Sequence, residues 1–105
     1  MLKVEMNALN QYIDQIKEAC SMNRVKRLFA FGSVTRNELN DQSDIDLVVE
    51  IEDSDPISYT DHYFDLKEKL ERVFERPIDL LEDKAIRNTF LRNEIDKTKV
   101  LIYGE

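Results

Sequence analysis

Cysteine and histidine each occur once in this 105-residue chain, and glycine and proline twice each. With Cys20 alone, no disulfide can close within the chain, and a cysteine-built zinc site lacks its ligands. So few glycines and prolines leave no linker rich in either, and there is no internal repeat or low-complexity tract. The chain therefore reads as a single domain over 1–105 with a modest core. No apolar run approaches the roughly 20 residues needed to cross a bilayer. Lys3 and Glu5 interrupt the beginning of the chain, which does not read as a signal peptide, so a cytoplasmic location is expected. Basic residues are scarce too: 15 Lys and Arg stand against 22 Asp and Glu, for a net charge of −7. A general nucleic-acid binder carries a basic face, so direct nucleic-acid binding is not expected.

What the chain does have is periodicity. Leu2, Met6, Leu9, Ile13, Ile16 and Cys20 step by three and four, the stripe of an amphipathic helix. Val25 to Phe31 reads as a strand, and a helical turn is expected after Ser33. Over 44–51, Ile45, Leu47, Val49 and Ile51 fall on one face, and Asp44, Asp46, Val48 and Glu50 on the other. One face suits a core and the other a site. A second helix is expected from about 58 to 75, with Tyr59, Tyr63, Leu66, Leu70 and Val73 as its stripe. Pro77 starts a third strand in which Asp79 has the opposite parity to Ile78 and Leu80. A last helix over about 84–96 precedes a short strand, 100–103. This order predicts an α+β fold: a small mixed β-sheet with helices packed on one face, the other left open around the carboxylates.

Two motifs sit where strand meets turn. Gly32-Ser33 ends the run Leu28-Phe29-Ala30-Phe31, and Asp44-Ile45-Asp46 opens Leu47-Val48-Val49, with ten residues between the pairs. A Gly-Ser turn presents backbone N–H groups and a hydroxyl to an anionic phosphate. Carboxylates two apart on a strand share a face and can grip one divalent ion. Ordinary residue usage puts both pairs at this spacing in roughly one chain of this size in a thousand. The combination points to phosphates with magnesium, hence to a nucleotide. If Ile78 and Leu80 face the core, Asp79 joins Asp44 and Asp46 on the open side. His62, beside an apolar stripe, reads as a surface or half-buried residue and not as a base, and Tyr12, Tyr59, Tyr63 and Tyr103 as core or rim contacts. Arg87, Arg92, Lys97 and Lys99 give the C-terminal end a local positive bias, read as a solvated helix face or a contact surface.

The stretch Phe31-Gly32-Ser33-Val34-Thr35-Arg36, followed by Ser43-Asp44-Ile45-Asp46-Leu47-Val48-Val49, resembles the minimal nucleotidyltransferases of the polymerase-beta-like nucleotidyltransferase superfamily. Their hallmark is Gly-Ser, ten residues, Asp-x-Asp and a third carboxylate on a later strand, which Asp79 supplies here. Many relatives have glycine after the motif arginine, where this chain has Asn37. The resemblance implies two magnesium ions held by Asp44, Asp46 and Asp79, and a nucleoside triphosphate, ATP by family default, met by Gly32, Ser33 and Arg36. It also implies pairing with a HEPN-type toxin, a helical ribonuclease silenced by transfer of AMP to a tyrosine. Two alternatives stand beside transfer to the toxin. One is an antitoxin that neutralises by binding alone, for which the acidic surface would suit a basic partner. The other is a small-molecule nucleotidyltransferase completed by a helical partner subunit. Oligomeric state, including a homo-oligomer, is left open.

Overall fold

A computed structural model describes residues 12–32 and 44–104. The elements run α1 (Ile13–Met22), β1 (Val25–Phe31), β2 (Ile45–Ile51), α2 (Pro56–Phe74), β3 (Ile78–Glu82), a 3-10 turn (Asp83–Ala85), α3 (Thr89–Thr98) and β4 (Val100–Tyr103). The strands form one sheet in the order β3-β2-β1-β4. β1 pairs antiparallel with both β2 and β4, whereas β2 and β3, joined through α2, are parallel. The fold is the expected α+β arrangement on a mixed sheet.

The alternation in β2 sets the layers. Ile45, Leu47, Val49 and Ile51 are buried and join Leu28, Ala30, Ile78 and Leu80 in the main core. Ile16 and Cys20 of α1 and Leu66 and Leu70 of α2 close that core from above. Tyr12, Tyr59, Tyr63 and Tyr103 pack at its margin. The opposite face carries Asp46 and Val48, and is not bare: Ile95 of α3 buries Phe31 and Val48 in a second, smaller cluster. Val48 is thus buried although its strand neighbours of the same parity are acidic.

Two helix boundaries differ from expectation for identifiable reasons. α2 starts at Pro56, ahead of 58, because the Asp55 side chain accepts from the Ile57 N–H and proline occupies the first turn. The expected helix over 84–96 is split. Glu82 caps the 3-10 turn, and Asn88, in extended backbone, then caps α3 by accepting from the Leu91 N–H at 3.0 Å. α3 continues past 96 to Thr98. The anticipated turn after Ser33, the loop at 40–43 and the beginning of the first helix lie outside the described residues.

Candidate functional site

The sheet register assembles the candidate site. In the parallel ladder Asp46 stands opposite Asp79, and in the antiparallel ladder it stands opposite Phe31, the residue before Gly32. Neighbouring strands lie about 4.8 Å apart, so Asp46 and Asp79 are adjacent on one face. Asp44, just ahead of β2, shares the parity of Asp46. Asp44 and Asp79 are exposed and Asp46 is half-buried. The small residue at the end of β1 has a definite reason. Gly32 has φ +71, and a Cβ built there would stand 2.7 Å from Asp46 Oδ2. The glycine turn and the carboxylate therefore close on one another.

Gly32 is also tied to the last helix. Its N–H donates to Thr98 Oγ1 at 3.4 Å, and Thr98 Oγ1 donates to the Glu94 carbonyl at 3.0 Å. Ser33 and Arg36 lie outside the described residues. Among the described residues, no three His, Cys, Asp or Glu side chains are drawn together as a ready metal cluster. The backbone aligns the three aspartates, but their carboxylates are not converged. The donor chemistry, all carboxylate oxygen, suits a hard cation such as Mg2+.

The remaining titratable groups carry structural roles. Burial pushes the Cys20 thiol up to about 12, which makes it inert as a nucleophile. Burial, reinforced by the Glu82 carboxylate, raises the Tyr59 hydroxyl above the ordinary tyrosine range; Tyr59 donates to Glu82 Oε2 at 2.6 Å. Tyr63 is raised by burial as well and donates to the Leu80 carbonyl. Arg92 pairs with Asp83 at 2.9 Å, and Lys99 stands 3.4 Å from Asp96 and 4.8 Å from the centre of the Phe29 ring. Those two members of the C-terminal positive group are therefore engaged within the domain.

One polar cluster was not anticipated. Asn23 is 2% exposed, and its Nδ2 donates to the Ala19 carbonyl at 2.9 Å and to Asp65 Oδ2 at 2.8 Å. Its Oδ1 faces His62 Nδ1 at 3.0 Å, and His62 Nε2 lies 3.6 Å from Asp53 Oδ2. The cluster joins α1, α2 and the β2–α2 turn, at the opposite end of β1 from Gly32. Nothing in the spacing of Asn23, His62 and Asp65 announces it, since the partners are 39 and 42 residues apart.

Comparison with known proteins then decides the family. The family model described as Polymerase beta, Nucleotidyltransferase matches residues 14–105. The chain belongs to this family. A Methanocaldococcus jannaschii protein named "Putative protein adenylyltransferase MJ1379" is 32% identical over 79 residues, covering 75% of this chain and 78% of that protein. A solved toxin–antitoxin structure with AMP-PNP superposes with a TM-score of 0.68 at 22% identity, covering 89% of this chain and 73% of that one. A chain in the solved complex of a tri-AMPylated Shewanella oneidensis HEPN toxin with its MNT antitoxin gives a TM-score of 0.59 at 19% identity, covering 100% of this chain and 74% of that one. The polymerase-beta nucleotidyltransferase fold and an enzyme of the nucleotidyltransferase class follow. Among the described residues, no helix is long and apolar enough to cross a membrane.

Proposed function

We propose that this nucleotidyltransferase moves AMP from ATP to a hydroxyl of a partner protein, a tyrosine of a HEPN-type toxin, and so acts as its antitoxin. The observation that carries the reading is the register. Asp46 lies opposite Asp79 and against Gly32, on the face where Asp44 also falls. The names of the M. jannaschii relative and of the Shewanella oneidensis complex support the choice of AMP and of a HEPN partner. The neighbour with AMP-PNP supports ATP as donor.

In the reaction, the acceptor oxygen attacks the α-phosphorus. The bond from that phosphorus to the bridging oxygen breaks, and pyrophosphate leaves with the electron pair. Asp44, Asp46 and Asp79 would hold Mg2+, two ions on this reading, and the metal when bound neutralises phosphate charge and lowers the pKa of the acceptor hydroxyl. Gly32 keeps the turn free of a Cβ so that backbone can come close to the triphosphate. Ser33 is assigned as a hydroxyl donor to the phosphates and Arg36 as a counter-charge. Asp79, on the neighbouring strand β3, accepts the proton that the acceptor hydroxyl gives up. Positioning and charge neutralisation do most of the work in transfer of this kind.

The test is the intact mass of a HEPN-type toxin encoded beside this protein. It is co-expressed with the wild-type chain and with the Asp44→Asn/Asp46→Asn double variant. AMP-sized increments on a tyrosine that vanish in the variant are expected. An unmodified toxin that both forms still neutralise would replace transfer with binding alone.

A further inference from the structure

We propose that Thr98 is a positioning residue for the triphosphate end of the site, acting through Gly32. The proposal rests on the nucleotidyl-transfer reading. Its observations are independent of the aspartates. A threonine near a helix end ordinarily donates back to the carbonyl four residues earlier, and Thr98 does so to Glu94 at 3.0 Å. That bond commits the hydroxyl proton and thereby orients the remaining lone pairs. One of them receives the Gly32 N–H at 3.4 Å. The contact spans 66 residues of sequence and ties the last turn of α3 to the end of β1.

The same turn is anchored by packing. Ile95, one helical turn before Thr98, is fully buried against Phe31, which precedes Gly32 and pairs with Asp46, and against Val48, two residues beyond Asp46 on β2. A polar tether and an apolar anchor therefore hold the end of β1 at Phe31 and Gly32. Gly32 adopts φ +71, a region where glycine alone pays no steric penalty and where neighbouring conformations are equally open to it. The Thr98 hydroxyl is one of the contacts that hold the Gly32 amide plane in a single orientation. The Gly32 amide is then already oriented when phosphate arrives, and less ordering remains to be done on binding.

Thr98→Val keeps shape and removes both hydrogen bonds; Thr98→Ser keeps both. ATP and Mg2+ are titrated against the full-length chain with its toxin partner as acceptor, and ATP binding is measured separately on the chain alone. Thr98→Val should raise KM for ATP about fivefold, the effect of a single modest hydrogen bond, with a smaller change in kcat. Thr98→Ser should behave as wild type. A residue that only braced the helix would lower the melting temperature and the active fraction, seen in kcat, and leave KM alone. An unchanged KM and ATP affinity in Thr98→Val would overturn the proposal. Wild-type protein that binds ATP yet transfers nothing would refute the transfer reading, and the binding comparison would still decide the role of Thr98. Wild-type protein that binds no ATP would refute both.

Discussion

Replacing Gly32 by alanine separates the two demands made on this position. The backbone there has φ +71, and a residue with a Cβ in that left-handed region costs about 1–2 kcal/mol. The new methyl would also stand 2.7 Å from Asp46 Oδ2. The atom it meets is the end of a side chain and not backbone, so the carboxylate shifts before the strand moves. The stability loss should therefore stay near the backbone term alone, roughly 5–15 °C in Tm for a domain of this size. The functional loss should be larger. A displacement of about 1 Å in a positioned group can cost about a hundredfold in rate, and the displaced group here is the central aspartate of the set. Chemical denaturation and the rate of AMP transfer measure the two effects side by side. Gly32→Asn sharpens the contrast, because asparagine tolerates the left-handed region but still carries a Cβ. It should recover part of the stability and none of the activity. Gly32→Ala with wild-type stability and wild-type transfer would refute the assigned closeness of turn and carboxylate.

Four further outcomes follow. Asn23→Ala removes three hydrogen bonds from a buried site, one of them to a carboxylate, and should destabilise by about 2–4 kcal/mol in urea denaturation without changing ATP affinity. Leu66→Ala opens a cavity in the main core and should cost about 2–5 kcal/mol by the same measurement. Asp79→Asn removes a like charge beside Asp46; it should raise metal-free stability by a few tenths of a kcal/mol while greatly reducing transfer. Stability should fall on acidification below about pH 4. Asp53 is held low by the Ser58 hydroxyl and the Asp55 N–H, Asp65 by Lys69 and Asn23, and Glu71 by the Ile78 N–H and Lys67. A carboxylate depressed in the folded state stabilises above its unfolded pKa and loses that contribution as pH falls through its folded one. Thermal melts across that range test the sign, and a Tm that rose on acidification would contradict it.

Strict alternation made β2 legible. Four aliphatic residues at 45, 47, 49 and 51 could be buried together only if Asp46 faced the other way. The parity of Ile78 and Leu80 extended the same argument to Asp79, and the parallel pairing of Asp46 with Asp79 bears out that shared face. Local chemistry was harder to read where it competed with periodicity. Asp55-Pro56 forms the cap and first turn of α2, two residues ahead of the helix that the stripe beginning at Tyr59 predicts. Asn88 stops a helical pattern that otherwise runs on from 84, because its side chain satisfies an N–H of the next helix. Two long-range features left no periodic trace: the bridge of Asn23 to His62 and Asp65, and the tether of Gly32 to Thr98. Each depends on single side chains brought together by the completed sheet and its helices. The partial cover of the aspartate face also came from tertiary packing. Only the crossing of α3 shows why Val48 can be apolar among acidic neighbours.

The most direct test of nucleotidyl transfer uses purified proteins and two labelled forms of ATP. The HEPN-type toxin is incubated with Mg2+ and this chain, with radiolabel at either the α- or the γ-phosphate. Label from the α-position should be retained on the toxin and label from the γ-position should not. The Asp44→Asn/Asp46→Asn variant should leave the toxin unlabelled. Retention of γ-label, or α-labelling that survives in the double variant, would contradict the account.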